Sequence, residues 1–427
     1  MQLFRWLLRD TQAARLIATT PSVYTVVRWA WTQLIREPDD EGFEDCCRYL
    51  RYGFRSNACD ERVFEELVLG AGRRQDLASV VMLHPKRVVP TPEHNVTGYT
   101  GVHLLGIIFL VDKIIAEGWD EPLRGILLSR GIITTLTTPC CALGRSTNEI
   151  TLVEVKGFLG ALIVGMECSP AQPWIVESLR AGLLPAVFAC SSRGNEERTE
   201  DLLEDLLQNT LPGSTIHHSV LSQRELSLSD VRDFDAKELI VSPTVLRSWR
   251  EFLLLAEDRL SAMKAYDACS FTCPWTCGDL SCDKLDSNHD FKRCSACRSI
   301  YYCSPECQAK DWRRGGHRQT CDALYNRRRR NSHISAKDRA FTRALLNHDC
   351  SKQQREIALD ELEWMHAHPN EIPYILFDYS EGQLNVSFES HQNAPPEFAA
   401  ELTRTVDGGN ARRLHLMLIF DGDVTLF

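Results

Sequence analysis

No run among the 427 residues is long and apolar enough to cross a bilayer. The most apolar stretch, residues 104–111, ends at Asp112-Lys113, well short of the roughly 20 residues that a spanning helix needs. The opening MQLFRWLLRDTQAARL is interrupted by Arg5 and Arg9. It lacks a continuous apolar core and a small-residue cleavage site, so no export signal is expected and the sequon at Asn95 reads as chance. Dinucleotide and phosphate-loop glycine patterns are missing, as are G-x-S-x-G and the H-E-x-x-H zinc helix. His217-His218, Cys46-Cys47 and Cys140-Cys141 have no neighbours that would activate a nucleophile, so each reads as structural. Net positive charge is absent too. At −10 and a pI near 5.8, the chain as a whole is not built to bind nucleic acid. Together these absences point away from an enzyme.

What the chain does have is cysteine, 17 of them, within a composition that is 44% hydrophobic and 25% charged, as in globular proteins. A chain this large does not need a disulfide scaffold, and its densest cysteines have metal-ligand spacing. Thiolates kept free for a metal imply a reducing compartment, cytoplasm or nucleus. Between 277 and 321 the pattern is C-x4-C-x11-C-x2-C-x5-C-x3-C-x9-H-x3-C. Zinc in a structural site takes four thiolate or imidazole ligands in a tetrahedron. Eight ligands, Cys277, Cys282, Cys294, Cys297, Cys303, Cys307, His317 and Cys321, therefore make two closed sites and predict two Zn2+ per chain. So short a segment buries little apolar surface, and bound zinc supplies the missing folding energy, roughly 10–16 kcal/mol per structural ion. Cys273 lies close enough to compete with Cys277 or Cys282 for a ligand position.

This spacing, with Tyr302 before Cys303 and the run CQAKDW from Cys307 to Trp312, resembles the MYND zinc finger. The shared core Y-C-S-x-x-C-Q-x-x-x-W is matched residue for residue. The resemblance implies a cross-brace, with Cys277, Cys282, Cys303 and Cys307 on one zinc and Cys294, Cys297, His317 and Cys321 on the other. It further implies a groove for short proline-containing peptides beside the second zinc, lined by Gln308 and Trp312. A flat indole beside an amide suits an extended, pre-ordered proline-rich backbone. Tyr301 and Tyr302 read as packing. The opening x4 gap is wider than the commonest spacing, and Gly315-Gly316 adds a small bulge before His317.

Elsewhere the first 265 residues read as helix after helix. Apolar positions recur at three and four over 29–35, 43–54 and 61–69, broken at Pro38-Asp39-Asp40 and Gly70-Ala71-Gly72. A weak repeat aligns LSRGIITTL from Leu128 with LRAGLLPAV from Leu179, 51 residues on. Helix, glycine turn and second apolar helix describe a stacking unit similar in texture to armadillo or HEAT repeats. Leu202, Leu203, Leu206 and Leu207 are then core. Residues 230–265 predict further helix starting near Pro243, with Trp249, Phe252, Leu253 and Leu260 on its apolar face. After Cys321 comes the run Arg327–Arg330, read as a solvated turn at a domain edge. Helices are expected over 337–346 and 352–365, then a hairpin of two strands flanking Glu381-Gly382, the second of them alternating, and another hairpin over 414–427 around Asp421-Gly422-Asp423. The expected fold is mainly α, with a helical-repeat domain at 1–268, a two-zinc finger at 269–325 and an α+β region at 326–427.

The function expected from these features is that of a non-enzymatic, zinc-binding scaffold for protein–protein interaction. Two alternatives differ in class. One is a nucleic-acid-associated regulator using Arg313, Arg314, Arg318 and Arg327 to Arg330. Residues 269–330 carry twelve Lys/Arg against seven Asp/Glu, but two zincs and seven thiolates reduce that excess to about +2. The other is a lysine methyltransferase of the SET and MYND type, which would need an Asn-His-x-Cys stretch after the finger; the tail has none.

Overall fold

The computed structural model describes residues 20–36, 40–55, 61–94, 96, 98–146, 152–192, 197–269, 275–286, 291–407, 414–422 and 424–426. The opening sixteen residues, Pro38-Asp39, Asn95, Cys273 and Phe427 lie outside that set. The chain forms two compact units, one of Met1–Thr210 with Gln223–Phe252 and one of Leu211–Ser222 with Leu253–Phe427. The finger and the tail thus share one unit, together with residues 253–268.

The first unit is helical throughout its described residues. Its helices are α1 (Val23–Leu34), α2 (Asp40–Arg55), α3 (Glu61–Ala71), α4 (Arg74–Val88), α5 (Gly98–Ile115), α6 (Glu121–Ser129), α7 (Ile132–Gly144), α8 (Leu152–Met166), α9 (Ala171–Arg180), α10 (Leu183–Ser191) and α11 (Glu197–Asp205). They stack in two rows. One row runs α2, α5, α8, α11 and the other α4, α7, α10, each helix packed on the next. Leu104, Leu110, Ile114, Phe158 and Leu162 of the first row and Leu143, Leu183 and Leu184 of the second are fully buried. Leu203, Leu206 and Leu207 are core as well. No helix among the described residues is long and apolar enough to span a membrane.

The 51-residue repeat is present as geometry. Gly131 and Gly182 cap the N-termini of α7 and α10 at φ 85° and 97°, the left-handed region that side chains with a Cβ avoid. Each turns its chain by the same amount, since α6–α7 and α9–α10 are both bent by 71°. Glu177 of α9 accepts bonds from the Thr134 backbone N–H and hydroxyl at 2.7 and 2.9 Å. A carboxylate from one unit of the repeat thereby caps the second helix of the preceding one.

Helices α12 (His218–Asp230) and α13 (Pro243–Asp267) contribute residues to both units. Trp249 and Phe252 of α13 are buried, and Pro243 opens the helix as expected. The second unit holds the short strands β1 (Trp275–Thr276), β2 (Leu285–Asp286), β3 (Lys292–Arg293) and β4 (Tyr301–Tyr302). There follow α14 (Pro305–Arg314), α15 (His317–Arg330), α16 (Ala336–Lys352), α17 (Gln354–Ala367), β5 (Pro373–Asp378), β6 (Asn385–Ser390), α18 (Ala399–Asp407), β7 (His415–Asp421) and β8 (Val424–Leu426). Both expected hairpins form. They join into one sheet of order β6-β5-β7-β8 because β5 pairs β7 in parallel, with α18 in the crossover between them. Ile216, Leu221, Met263, Phe341, Leu345 and Tyr379 form its main core. Beside that core Arg259 donates to Asp349 at 2.8 Å and to the Gly382 carbonyl at 2.8 Å, while the Tyr379 hydroxyl donates to Asp349 at 3.0 Å. The arginine run is the last turn of α15 rather than a loop.

Candidate metal centre

The ligands come from two hairpins and two helix starts. Cys277 follows β1 and Cys282 lies in the β1–β2 connection; Cys294 and Cys297 lie in the β3–β4 connection, and Cys303 follows β4. Ser304 caps α14, its hydroxyl accepting from the Cys307 N–H at 3.3 Å, so the first turn of the helix presents Cys307 beside Cys303. His317 and Cys321 stand four apart on α15 and share a face.

These elements bring together two four-residue clusters. Cys277, Cys282, Cys303 and Cys307 form one; Cys294, Cys297, His317 and Cys321 form the other. Within each, the ligand atoms all lie within 4.8 Å of one another. Cys282–Cys303 and Cys303–Cys307 are 3.7 and 3.6 Å apart in sulfur–sulfur distance, and Cys297 Sγ lies 3.8 Å from His317 Nε2. A tetrahedron with Zn–S bonds of about 2.3 Å has edges of about 3.8 Å. The spacing is therefore that of metal ligands and far too wide for disulfides. First and third pairs meet, as do second and fourth, which is the cross-brace wiring.

Electrostatics favours the same conclusion. The Lys284 N–H pulls the Cys282 thiol below its usual range. Burial and neighbouring sulfurs push Cys303 and Cys321 up to about 12. Crowded sulfurs ionise together only when a cation offsets their mutual repulsion, and zinc is such a cation. His317 is fully buried and held neutral by burial, leaving a ring nitrogen free to coordinate. Bound there, zinc would be held by these residues and would crosslink the loops that carry them. Each cluster offers four protein ligands, the number that a structural zinc would take.

Around the ligands lies a small core. Tyr302 packs with Phe291, Cys277, Cys294, Cys297 and Cys321, while Tyr301 packs on Trp275 with ring centres 4.1 Å apart and ring planes tilted by 46°. Tyr302 also donates its hydroxyl to Asp311 at 2.7 Å. Asp311 is 0% exposed, and its other oxygen accepts from Arg404 of α18 at 2.6 Å. Arg404 further donates to the carbonyls of Gly278 and Gly315, each at 2.6 Å. Gly278 follows a ligand of the first cluster, and Gly315 lies just before a ligand of the second. One side chain from the tail thus ties the backbones of both zinc loops. Sequence reasoning missed Arg404 and Asp311, for neither carries a local signal.

Gln308 and Trp312 stand four apart on α14, Gln308 half-buried and Trp312 39% exposed. The indole meets the His317 ring edge-on at 5.6 Å. Within the arginine run, Arg327 pairs with Glu401 at 3.1 Å and lies 4.1 Å over the Phe398 ring, and Arg328 donates to the Arg298 carbonyl at 2.9 Å. Half the run is engaged in packing. Cys269 is exposed, and each cluster reaches four ligands without it.

No curated protein and no solved structure matches the chain. The family model described as MYND finger matches residues 273–321, the stretch that supplies every ligand of both clusters. Fingers of this family are generally protein-interaction modules. With the ligand spacing, the cross-brace wiring and the family match in agreement, the protein carries a MYND-type zinc finger at 273–321.

Proposed function

We propose that the protein is a non-enzymatic scaffold, in a reducing compartment such as the cytoplasm or nucleus, whose finger recognises short proline-containing peptides. The observation that carries this reading is Trp312. A large apolar ring left 39% exposed on a helix that is anchored through Cys307 to one cluster is a rigid platform. The half-buried amide of Gln308 lies one turn away on the same face. A proline-rich segment presents exposed carbonyls and flat apolar rings without paying for ordering, which matches an indole beside an amide. Closed zinc shells support a structural rather than catalytic role for the metal.

The test is fluorescence anisotropy with an array of labelled proline-rich peptides, comparing the zinc-loaded protein with Trp312→Ala at equal zinc content. Buried aromatic anchors at interfaces are worth about 2 kcal/mol or more, so affinity should fall at least tenfold. Equal binding by the variant, or no peptide bound by either protein, would refute the reading.

A further inference from the structure

A second groove lies on the other side of α14. Adjacent side chains along a helix are separated by about 100°, so Lys310 and Arg314 point roughly 200° from Gln308 and Trp312. With Arg313 they face a cavity of about 650 Å3 that is closed on its far side by Thr403 and Arg404 of α18. Arg404 is fixed in place by its bonds to Asp311, Gly278 and Gly315, and Lys310 is drawn to Asp279 at 3.6 Å. Arg313 and Arg314 are exposed, and no carboxylate among the described residues pairs with either. The N-terminus of α15 opens onto the same space at Gly316, without a side-chain cap. The Gln319 N–H is bonded to the Gly316 carbonyl at 3.1 Å, and the helix dipole adds positive potential at this end.

Of the four cations lining the groove, Arg404 is offset by Asp311 and Lys310 by Asp279, which leaves Arg313 and Arg314 as its excess positive charge, on a chain whose net charge is −10. We infer that this groove is a second docking site, for an Asp/Glu-rich peptide segment of a partner protein. Several observations select that occupant. Arg313 and Arg314 follow one another on α14 and Lys310 stands one turn earlier, so these cations succeed one another along the helix, as successive carboxylates require. The Gln319 amide lines the same space and supplies a further donor, while the Ser281 and Thr403 hydroxyls donate to Asp279 and to the Ala399 carbonyl. The volume suits a few residues of extended chain. Because the site uses the face of α14 away from Trp312, it stands or falls independently of the proline-peptide reading.

The experiment measures anisotropy of a fluorescein-labelled Asp-Glu octapeptide against the full-length, zinc-loaded protein. Its Asn-Gln counterpart, a phosphoserine peptide and a single-stranded oligonucleotide are measured in parallel. Arg313→Glu with Arg314→Glu alters two exposed side chains, and zinc content and circular dichroism verify its folding. The expected result is binding of the acidic peptide that weakens at least tenfold in the double variant and in 0.5 M salt, roughly as loss of two charge contacts predicts. Trp312→Ala should leave it unchanged. The inference is overturned if the Asn-Gln peptide binds equally, if the double variant binds as before, or if the acidic peptide does not bind. Tighter binding of the phosphopeptide alone would reassign the groove to phosphate, and tighter binding of the oligonucleotide would reassign it to nucleic acid.

Discussion

Asp311 is a fully buried carboxylate whose charge is tolerable only because Tyr302 and Arg404 both donate to it. Removing the guanidinium leaves an uncompensated buried charge and frees two carbonyls that hold the zinc loops. Arg404→Ala should therefore destabilise the second unit by about 3–5 kcal/mol in urea unfolding at fixed zinc. Tyr302→Phe, which removes one bond to a charged group, should lose about 1.5–3 kcal/mol. The two substitutions share a partner, so their effects should not add. A near-zero effect of Arg404→Ala would show that the finger holds its shape without the tail. The cysteines were readable from sequence because coordination demands fixed residue types at short separations. Arg404 was not, because an arginine far down the chain looks like any surface cation until folding places it against Asp311.

At the scale of elements, Gly182 sits at φ 97° with nothing within 4 Å of where a Cβ would lie. Gly182→Ala therefore meets no clash, and its penalty is conformational, about 1–2 kcal/mol. Gly125, exposed on the outer face of α6 with similarly open surroundings, should behave oppositely: Gly125→Ala should stabilise by about 0.5–1 kcal/mol. Paired urea titrations read both signs, and a stabilising Gly182→Ala would remove the turn from the repeat's design. The finger's elements depend on metal in place of a large core. Chelation should release two zincs per chain and raise hydrogen exchange across 292–321 and, through the lost Arg404 anchors, across 399–407. Unchanged exchange in α18 would uncouple it from the finger. The tail strands followed from apolar or alternating runs on either side of turn residues, but the β5–β7 parallel pairing did not. Alternation says which face a residue takes and nothing about which strand lies alongside.

For the molecule as a whole, acid sensitivity follows from two buried histidines. His84, accepting from Trp31 at 3.0 Å and facing the His103 carbonyl at 2.8 Å, is lowered by burial to about 4. Burial also lowers His217 to about 4. Between pH 4 and 6.5 each is neutral when folded and protonated when unfolded, so the unfolded chain binds more protons and stability rises with pH. Each contribution is complete above about pH 6.5 and declines by up to roughly 3 kcal/mol towards pH 4. His84→Gln should flatten the pH dependence of urea unfolding between pH 5 and 7, and an unaltered slope would place the acid sensitivity elsewhere. The sequence by itself determined the residues of both zinc shells, the helical first half and its glycine-marked repeat, and the tail strands. Those depend on short-range rules: coordination chemistry, backbone strain at left-handed turns and side-chain periodicity. Only the tertiary structure decided that the finger and tail share one unit, that one arginine ties both zinc loops, and that α14 carries a basic groove behind Trp312. Each of these depends on burial and charge pairing between segments distant in the chain, which no local pattern encodes.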